Sequence, residues 1–327
     1  MTVASLQDAA ERLAVLLNGG GAPATQPGEG DLVLEPEIAP RPLAAAAGPP
    51  SEVWAVDGGQ ALVADARCLQ VFVARAARVC FRGGRCALED EGELRAWLLG
   101  GEEDRVVAAG LGLGVAPGAA VDVNLLRDHE EWQAVRRCVD EAEPGGLVLV
   151  DGDLQPDWRI PTPLLVSVLE RAASRQVTLA GVVKRSALAR RGAPLVGQLE
   201  LEAEAAFGPR ARWWTPVART AVTGTGARRI FVARLDPDAR FAFRIDLPAC
   251  EDAVAEAALA ALATVADDAG FPGYPYPLTV ADRLAACPPW LRADAGFVLD
   301  ELLAGAGVPA VVRERAFADR HRLMERA

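Results

Sequence analysis

The sequence predicts an α/β protein with a mixed sheet flanked by helices, and three observations support this prediction. Runs rich in β-branched and aromatic residues follow one another closely from residue 52 to 81, which is typical of antiparallel strands joined by short turns. Two largely apolar runs, 147–154 and 177–186, alternate with helical patterns, as strands of a parallel sheet covered on both faces do. With 51% hydrophobic and 24% charged residues, the 327-residue chain can bury a large core.

The chain divides at about residue 50. Apolar residues at helical spacing between 3 and 17 predict an amphipathic helix, and the Gly- and Pro-rich segment 19–50 predicts an irregular connector. We interpret this first helix as a docking element for a partner protein or a second subunit. Residues 51–327 are then predicted to form the main domain, which carries the sheet.

The elements of residues 51–327 follow a definite order. We expect three strands first, at 52–59, 61–66 and 69–81. Helices and strands then alternate, as helices at 92–99 and 121–143, a strand at 147–154, a helix at 163–175 and a strand at 177–186. A less regular region precedes the last elements, which are strands at 228–235 and 240–247 and helices at 251–268, 279–287 and 294–305. This order matches a ribonuclease-H-like core.

Composition excludes several classes of protein. The net charge of −11 excludes a generally basic nucleic-acid coat, although it leaves room for a local basic patch. The six cysteines form no CxxC pair, which predicts free thiols in a reducing cytosol rather than a zinc site. We find neither a secretory signal pattern nor a membrane-spanning run, and therefore expect a cytoplasmic protein. No GxxxxGK[ST] motif is present, so any ATP-driven partner must be a separate protein.

Two aspartates occupy equivalent places in the predicted strands. Asp57 (VWAVDGGQ) and Asp151 (VLVDGDLQ) each end an apolar strand or lie just inside it, and each precedes a glycine. Asp-Gly is also a common turn dipeptide after a strand, so either site alone is better explained as a turn. Their joint placement on the first and fourth strands favours a metal site, because adjacent strands would bring the carboxylates together and such a pair needs a cation.

A third carboxylate is expected from the helix that precedes Asp151. In LLRDHEEWQAVRRCVDEA, helical spacing places Glu131 on the apolar border, and Glu130 is the alternative one residue away. A solvated charged helix is the competing interpretation. Three carboxylates without Cys or His ligands suit Mn²⁺ or Mg²⁺ better than zinc.

Lys184 and the residues after it predict a phosphate-binding surface. Lys184 is the only lysine among 34 basic residues, and a compact ammonium at a strand end can hold one phosphate oxygen as a guanidinium cannot. Residues 184–229 carry nine basic and three acidic residues, among them Arg185, Arg190 and Arg191. Trp213 and Trp214 lie within this segment, where they either stack on unpaired bases or pack in the core.

Four segments in the same order resemble the successive motifs of the NurA nucleases: VWAVDGG, VLVDGDL, GVVKRS and GYPYPLTVADR. The resemblance runs from about residue 50 to 290. It implies a ribonuclease-H-like, Mn²⁺-dependent, dimeric nuclease of DNA ends, with Mg²⁺ as the alternative ion. It also implies a partner, the hexameric HerA translocase, in 5′-end resection during double-strand break repair. By the same resemblance, the family's metal-binding acids correspond to Asp57, Glu131 and Asp151, and its KxS-type segment includes Lys184.

One position departs from the family pattern. After GYPYPLTVA the family usually has histidine, whereas this chain has Asp282. We expect a helix that begins near Thr279, with Asp282 in its first turn as a fourth oxygen ligand. The alternative is that His321 supplies the missing imidazole.

These observations predict a deoxyribonuclease with two Mn²⁺ or Mg²⁺ ions bridged by Asp57, Glu131 and Asp151. Its substrates would be single strands and duplex ends, cut by exonuclease or endonuclease action. One alternative is a ribonuclease-H-like scaffold that has lost its chemistry and only recruits a translocase. A second is a ribonuclease of the same fold, since no residue that reads the 2′-hydroxyl can be identified.

Overall fold

The computed structural model describes residues 3–18, 32–46, 48–116, 119–220 and 226–318. Within these residues the helices are α1 (Val3–Leu17), α2 (Glu102–Leu111), α3 (Val123–Glu141), α4 (Thr162–Ser174), α5 (Leu195–Phe207), α6 (Asp252–Ala263), α7 (Tyr276–Ala285), α8 (Pro289–Gly305) and α9 (Ala310–Phe317). The strands are β1 (Leu32–Leu34), β2 (Arg41–Pro42), β3 (Glu52–Asp65), β4 (Gln70–Arg82), β5 (Arg85–Asp90), β6 (Arg95–Leu99), β7 (Leu147–Asp151), β8 (Thr178–Val183), β9 (Ala189–Arg190), β10 (Ala193–Pro194), β11 (Trp213–Thr220), β12 (Arg228–Arg234) and β13 (Phe243–Pro248).

Eleven of these strands form one mixed sheet in the order β1-β11-β12-β13-β8-β7-β3-β4-β5, with β2 on β11 and β6 on β4. The three central strands β3, β7 and β8 are parallel, and the flanking strands are antiparallel to their neighbours. The predicted α/β class with antiparallel and parallel parts is therefore confirmed. The first six residues of β3 and most of β7 and β8 are buried, as parallel strands covered on both faces must be.

Helices cover both faces of this sheet. The strands present alternate residues to the two faces, so Ala55 packs in one cluster with Leu259 of α6 and Leu278 of α7. Val56 packs in the opposite cluster with Trp132 of α3 and Leu169 of α4. No helix in the described part of the chain is long and apolar enough to cross a membrane.

The first sheet region differs from the prediction in two ways. The expected strands 52–59 and 61–66 are one 14-residue strand, β3, which pairs with β4 along its length. The expected helix at 92–99 is wrong, because residues 95–99 pair with residues 70–74 as β6. A helix follows instead as α2, where three acidic residues in the first turn favour helix formation.

The region 187–228 is more regular than expected. It contains α5 and β11, and β11 is buried along almost its whole length. Two pieces of the predicted connector also join the sheet: β1 pairs with one end of β11 and β2 with the other. The connector prediction is therefore wrong for these pieces, since their backbone groups complete an edge that would otherwise lack partners.

Candidate active site

Three aspartates from separate elements meet at one end of the central strands. Asp57 lies within β3, Asp151 ends β7, and Asp282 is on α7. Val56 and Val150 are register partners in the parallel pair β3–β7, which brings the following aspartates side by side. Carboxylate oxygens of Asp57, Asp151 and Asp282 all lie within 4.8 Å of one another. We call these three residues the aspartate cluster.

The glycines after Asp57 serve packing, because β3 continues through them without a turn. A Cβ on Gly58 would lie 2.1 Å from Oε1 of Glu131, and a Cβ on Gly59 would lie 1.8 Å from the carbonyl oxygen of Ala285. Side chains at these positions would push α3 and α7 away from β3. Gly58 and Gly59 therefore let both helices approach the aspartate cluster closely.

The cluster carries negative charge that its surroundings compensate poorly. Burial, followed by the charges of Asp151 and Asp282, raises the pKa of Asp57 to about 8, although the Gly58 amide donates a 2.7 Å hydrogen bond to Oδ1. Buried carboxylates so close together repel unless a cation lies between them. The donors are all oxygen atoms, which fits a hard divalent ion such as Mn²⁺ or Mg²⁺.

Lys184 supplies positive charge beside the aspartate cluster. Its Nζ lies 2.5 Å from Oδ2 of Asp151 and 3.8 Å from Oδ1 of Asp282. Burial acts to lower the pKa of Lys184, but the hydrogen bond to Asp151 and the surrounding carboxylate charges outweigh it, and the pKa lies above its ordinary value. Lys184 is therefore a charged ammonium directly next to the proposed metal ligands.

Tyr274 also lies at this site, although the sequence predicts no role for it. The ammonium of Lys184 lies 5.1 Å from the centroid of its ring, and burial together with the charge of Asp151 raises the pKa of its hydroxyl well above the usual value. The hydroxyl is buried and makes no hydrogen bond of standard geometry within the described residues. The available signal was that both tyrosines of the chain, Tyr274 and Tyr276, stand in the GYPYPLTVADR segment.

Glu131 lies next to the aspartate cluster but is paired with another residue. Burial raises its pKa to about 8, opposed by the charge of Arg127, and the charges of Asp57 and Asp151 contribute. Its Oε1 accepts a hydrogen bond from Arg127, one helical turn earlier on α3. Its alternative, Glu130, binds Arg95 at 3.0 Å instead. Of the two glutamates, Glu131 is the one whose pKa the charges of Asp57 and Asp151 help to raise.

Asp282 reaches the cluster from a different helical position than expected. Helix α7 begins at Tyr276, three residues before the predicted start, so Asp282 lies beyond the first turn. The predicted first-turn position is therefore wrong, and the helix dipole stabilises this carboxylate little, because that effect fades after the first turn. The other candidate for this role, His321, lies outside the described residues.

The loop that follows Asp151 is held in place by the buried residue Asp246, which pairs with Arg244. Asp246 on β13 is completely buried and receives a 2.7 Å hydrogen bond from Nε of Arg244. Its Oδ2 accepts a 3.4 Å hydrogen bond from the backbone amide of Leu154. Gly152, with φ of 139°, makes the sharp exit from β7 that this arrangement requires.

The predicted nucleic-acid surface is only partly present. Trp213 and Trp214 are 1% and 2% exposed, so the prediction that they stack on bases is wrong; they pack in the core through β11. Arg190 binds Glu202 and Gln198 on α5, which takes up much of its hydrogen-bonding capacity. Arg185 and Arg191 are exposed.

This chain is similar to one protein family and to several solved structures. The model of the NurA domain family matches residues 51–287, which is more than half of the chain. The crystal structure of the NurA nuclease from Sulfolobus solfataricus superposes with a TM-score of 0.58 at 15% identity, covering 92% of this chain and 95% of that chain. The catalytic domain of human endonuclease V gives a TM-score of 0.38 at 13% identity, covering 80% of this chain and 85% of that one. A sequence comparison with curated proteins gave no match.

Proposed function

Because the chain belongs to the NurA family of nucleases, we propose that it is a deoxyribonuclease that requires divalent metal. The observation that carries this proposal is the aspartate cluster, with the ammonium of Lys184 beside it. A surface that served only to recruit another protein would have no need for three carboxylates within 4.8 Å of one another at the end of a buried sheet.

We assign the metal ligands to the aspartate cluster, with Glu131 as a further carboxylate. Bound Mn²⁺ or Mg²⁺ would supply a Lewis acid for the scissile phosphate and an activated water. Glu131 would join the site when its carboxylate leaves Arg127. We propose two ions, because four carboxylates provide enough oxygen ligands for a two-metal site of the kind that cleaves phosphodiesters.

Lys184 holds the scissile phosphate in this proposal. Its ammonium lies beside Asp151 and Asp282, where it can donate a hydrogen bond to a non-bridging phosphate oxygen. The charge that develops on the phosphate during cleavage is then stabilised by a group already in place. Tyr274 packs its ring against the ammonium and so limits where Lys184 can move.

The proposed substrates are DNA single strands and duplex ends, and the proposed partners are a second copy of this chain and a hexameric translocase of the HerA type. These proposals rest on family membership. Helix α8 supports a protein contact, because Trp290, Phe297 and Leu302 are each at least two-thirds exposed. We propose DNA end resection in double-strand break repair as the process in which the chain acts.

Cleavage of labelled DNA tests the proposal directly. Purified protein is incubated with 5′-labelled single-stranded and duplex DNA, and with RNA of the same sequence, in Mn²⁺, Mg²⁺ or EDTA. We expect short DNA products with metal and none in EDTA. Asp57→Asn should lose cleavage, and the exposed matched control Asp267→Asn should keep it.

Two outcomes would contradict the proposal. No cleavage under any metal condition, with the protein folded, would favour the alternative of a silent scaffold that recruits a translocase. Equal cleavage by Asp57→Asn and wild type would show that the activity is a contaminant or belongs to another site.

A further inference from the structure

A cavity of about 510 Å³ lies beside the aspartate cluster. Lys184, which contacts the cluster, is one of its lining residues. Its walls are mostly aromatic, with Phe241, Phe243, Phe271 and Tyr274 as the main contributors. Such a volume is in the range of small-molecule sites and exceeds the space that one flat heteroaromatic ring needs. None of the functions assigned above uses this cavity.

Two of the phenylalanines are partly exposed. Phe241 and Phe271 lie nearly parallel, with ring centroids 6.4 Å apart and an angle of 19° between the planes. Their exposed fractions are 45% and 46%, and they lie in the loops that precede β13 and α7. Exposed aromatic faces held in a cavity are the usual platform on which nucleobases stack in proteins that bind single strands.

A continuous row of rings links this platform to the catalytic end. Phe271 lies 6.0 Å from Phe243, and Phe243 lies 5.4 Å from Tyr274. The ring of Tyr274 then contacts the ammonium of Lys184. A group seated on the platform therefore lies in the same cavity as the ammonium of Lys184.

The cavity also offers a carboxylate that can recognise a base. Glu200 on α5 lines the cavity, and its Oε1 accepts a 2.5 Å hydrogen bond from the amide of Ala242. A carboxylate repels the anionic backbone of DNA but accepts hydrogen bonds from the amino groups of bases. The neutral base therefore enters the cavity, and the phosphate of the same nucleotide stays beside Lys184.

We propose that this cavity binds one unpaired nucleobase next to the scissile phosphate. This inference rests on the proposed nuclease function. A paired base cannot enter, because its faces are covered by neighbouring bases and its edge by its partner. The cavity therefore makes the enzyme select single strands or frayed ends, and duplex DNA must be opened before it is cut.

The first test is binding, measured without divalent metal so that no cleavage occurs. Short single strands carry 2-aminopurine at one position each, and fluorescence is titrated with wild-type protein. We expect a large change at one position or two adjacent ones, and its loss in Phe271→Ala. Phe271→Leu separates stacking from folding, because it keeps apolar volume but removes the flat ring. Phe207→Ala, an exposed phenylalanine at the end of α5 outside the cavity, is the matched control and should behave as wild type.

The second test is cleavage of strands with an abasic position. Removing the base that occupies the cavity should raise KM roughly tenfold or more for the wild type, in line with the stacking energies of exposed aromatic residues. The same removal should have little further effect in Phe271→Ala, because the ring it contacted is gone.

The outcomes separate this inference from the proposed function. Cleavage with no position sensitive to base removal, and no response of 2-aminopurine, overturns the cavity proposal and leaves the nuclease in place. A response of 2-aminopurine that depends on Phe271, without any cleavage, supports the cavity and overturns the nuclease. If neither cleavage nor a 2-aminopurine response is observed, both the cavity proposal and the nuclease function are overturned.

Discussion

Nζ of Lys184 lies 2.5 Å from Oδ2 of Asp151, although 32 residues separate them in the chain. The two residues meet because β7 and β8 are parallel neighbours, and Asp151 pairs in register with Val182. In a protein with 33 arginines, the single lysine is thus placed where a strand end, a buried carboxylate and an aromatic ring meet.

Lys184→Arg should lower kcat at least tenfold while DNA affinity changes little. The guanidinium is larger and planar, and it spreads its charge over a fork that cannot occupy the position of one ammonium between Asp151 and Tyr274. Steady-state cleavage of a labelled single strand measures this effect. The reverse exchange Arg136→Lys, on the exposed side of α3, is the matched control. Unchanged kcat in Lys184→Arg would remove Lys184 from the catalytic machinery.

Divalent metal should stabilise the wild-type protein against heat, and Asp151→Asn should lose most of that gain. A ligand that binds only the folded state at a hundred times its Kd adds about 2.7 kcal/mol of stability. In EDTA, Asp151→Asn should differ little in stability from the wild type, because it relieves the repulsion from Asp57 and Asp282 but loses the ion pair with Lys184. Thermal melts with EDTA or MnCl₂ measure both effects, with Asp267→Asn as the control. Equal stabilisation of Asp151→Asn by Mn²⁺ would place the metal elsewhere.

Stability should fall with rising pH because of Asp128 on α3. Burial raises its pKa from 3.8 to about 6, although its carboxylate accepts a 2.5 Å hydrogen bond from the amide of Asp157. The folded state therefore binds this proton more tightly, and the stability that Asp128 contributes at low pH is lost as pH rises through about 6. Asp128→Asn removes this dependence and should be the more stable protein at pH 7.5, by on the order of 1–3 kcal/mol.

Urea unfolding in EDTA between pH 5 and 8 measures this difference. The gap between Asp128→Asn and wild type should widen over that range. A constant gap would mean that the substitution acts through packing rather than through the proton.

The end of the sheet that carries the aspartate cluster could be predicted from sequence because its determinants are local. An apolar segment that ends in Asp-Gly, such as the one at Asp151, predicts both a buried parallel strand and the edge of the sheet at which the carboxylate lies. The register between β3 and β7 then follows from the alignment of their apolar segments. Lys184 could be found because its residue type is unique in the chain.

The errors concern features that depend on long-range contacts. Gly58 and Gly59 suggest a turn in sequence, but the strand continues, and the glycines accommodate Glu131 and Ala285 from distant helices. Trp213 and Trp214 lie in a basic segment, yet β11 becomes buried because other strands pair on both sides of it. The aromatic cavity brings together the residue after β8, residues of α5 and β13, and residues of the segments before β13 and α7, so no local sequence pattern predicts it.

Asp282 offers a test of how this chain replaces a family histidine. Its side chain is 62% exposed, yet one of its carboxylate oxygens lies in the aspartate cluster, and its charge helps raise the pKa of Asp57. If Asp282 is an oxygen ligand, Asp282→Ala should lower Mn²⁺ affinity and cleavage at least tenfold, whereas Asp282→His should keep a substantial part of both, since imidazole also binds Mn²⁺. If the position needs a proton shuttle instead, Asp282→His should cleave DNA faster than wild type near neutral pH, because only imidazole titrates there without a large shift in its pKa.

Calorimetric Mn²⁺ titration together with cleavage rates separates these cases. Arg283→Ala, the adjacent exposed residue on α7, controls for damage to the helix, and His321→Ala should leave both properties unchanged. Full activity of Asp282→Ala together with loss in His321→Ala would transfer the role to the imidazole.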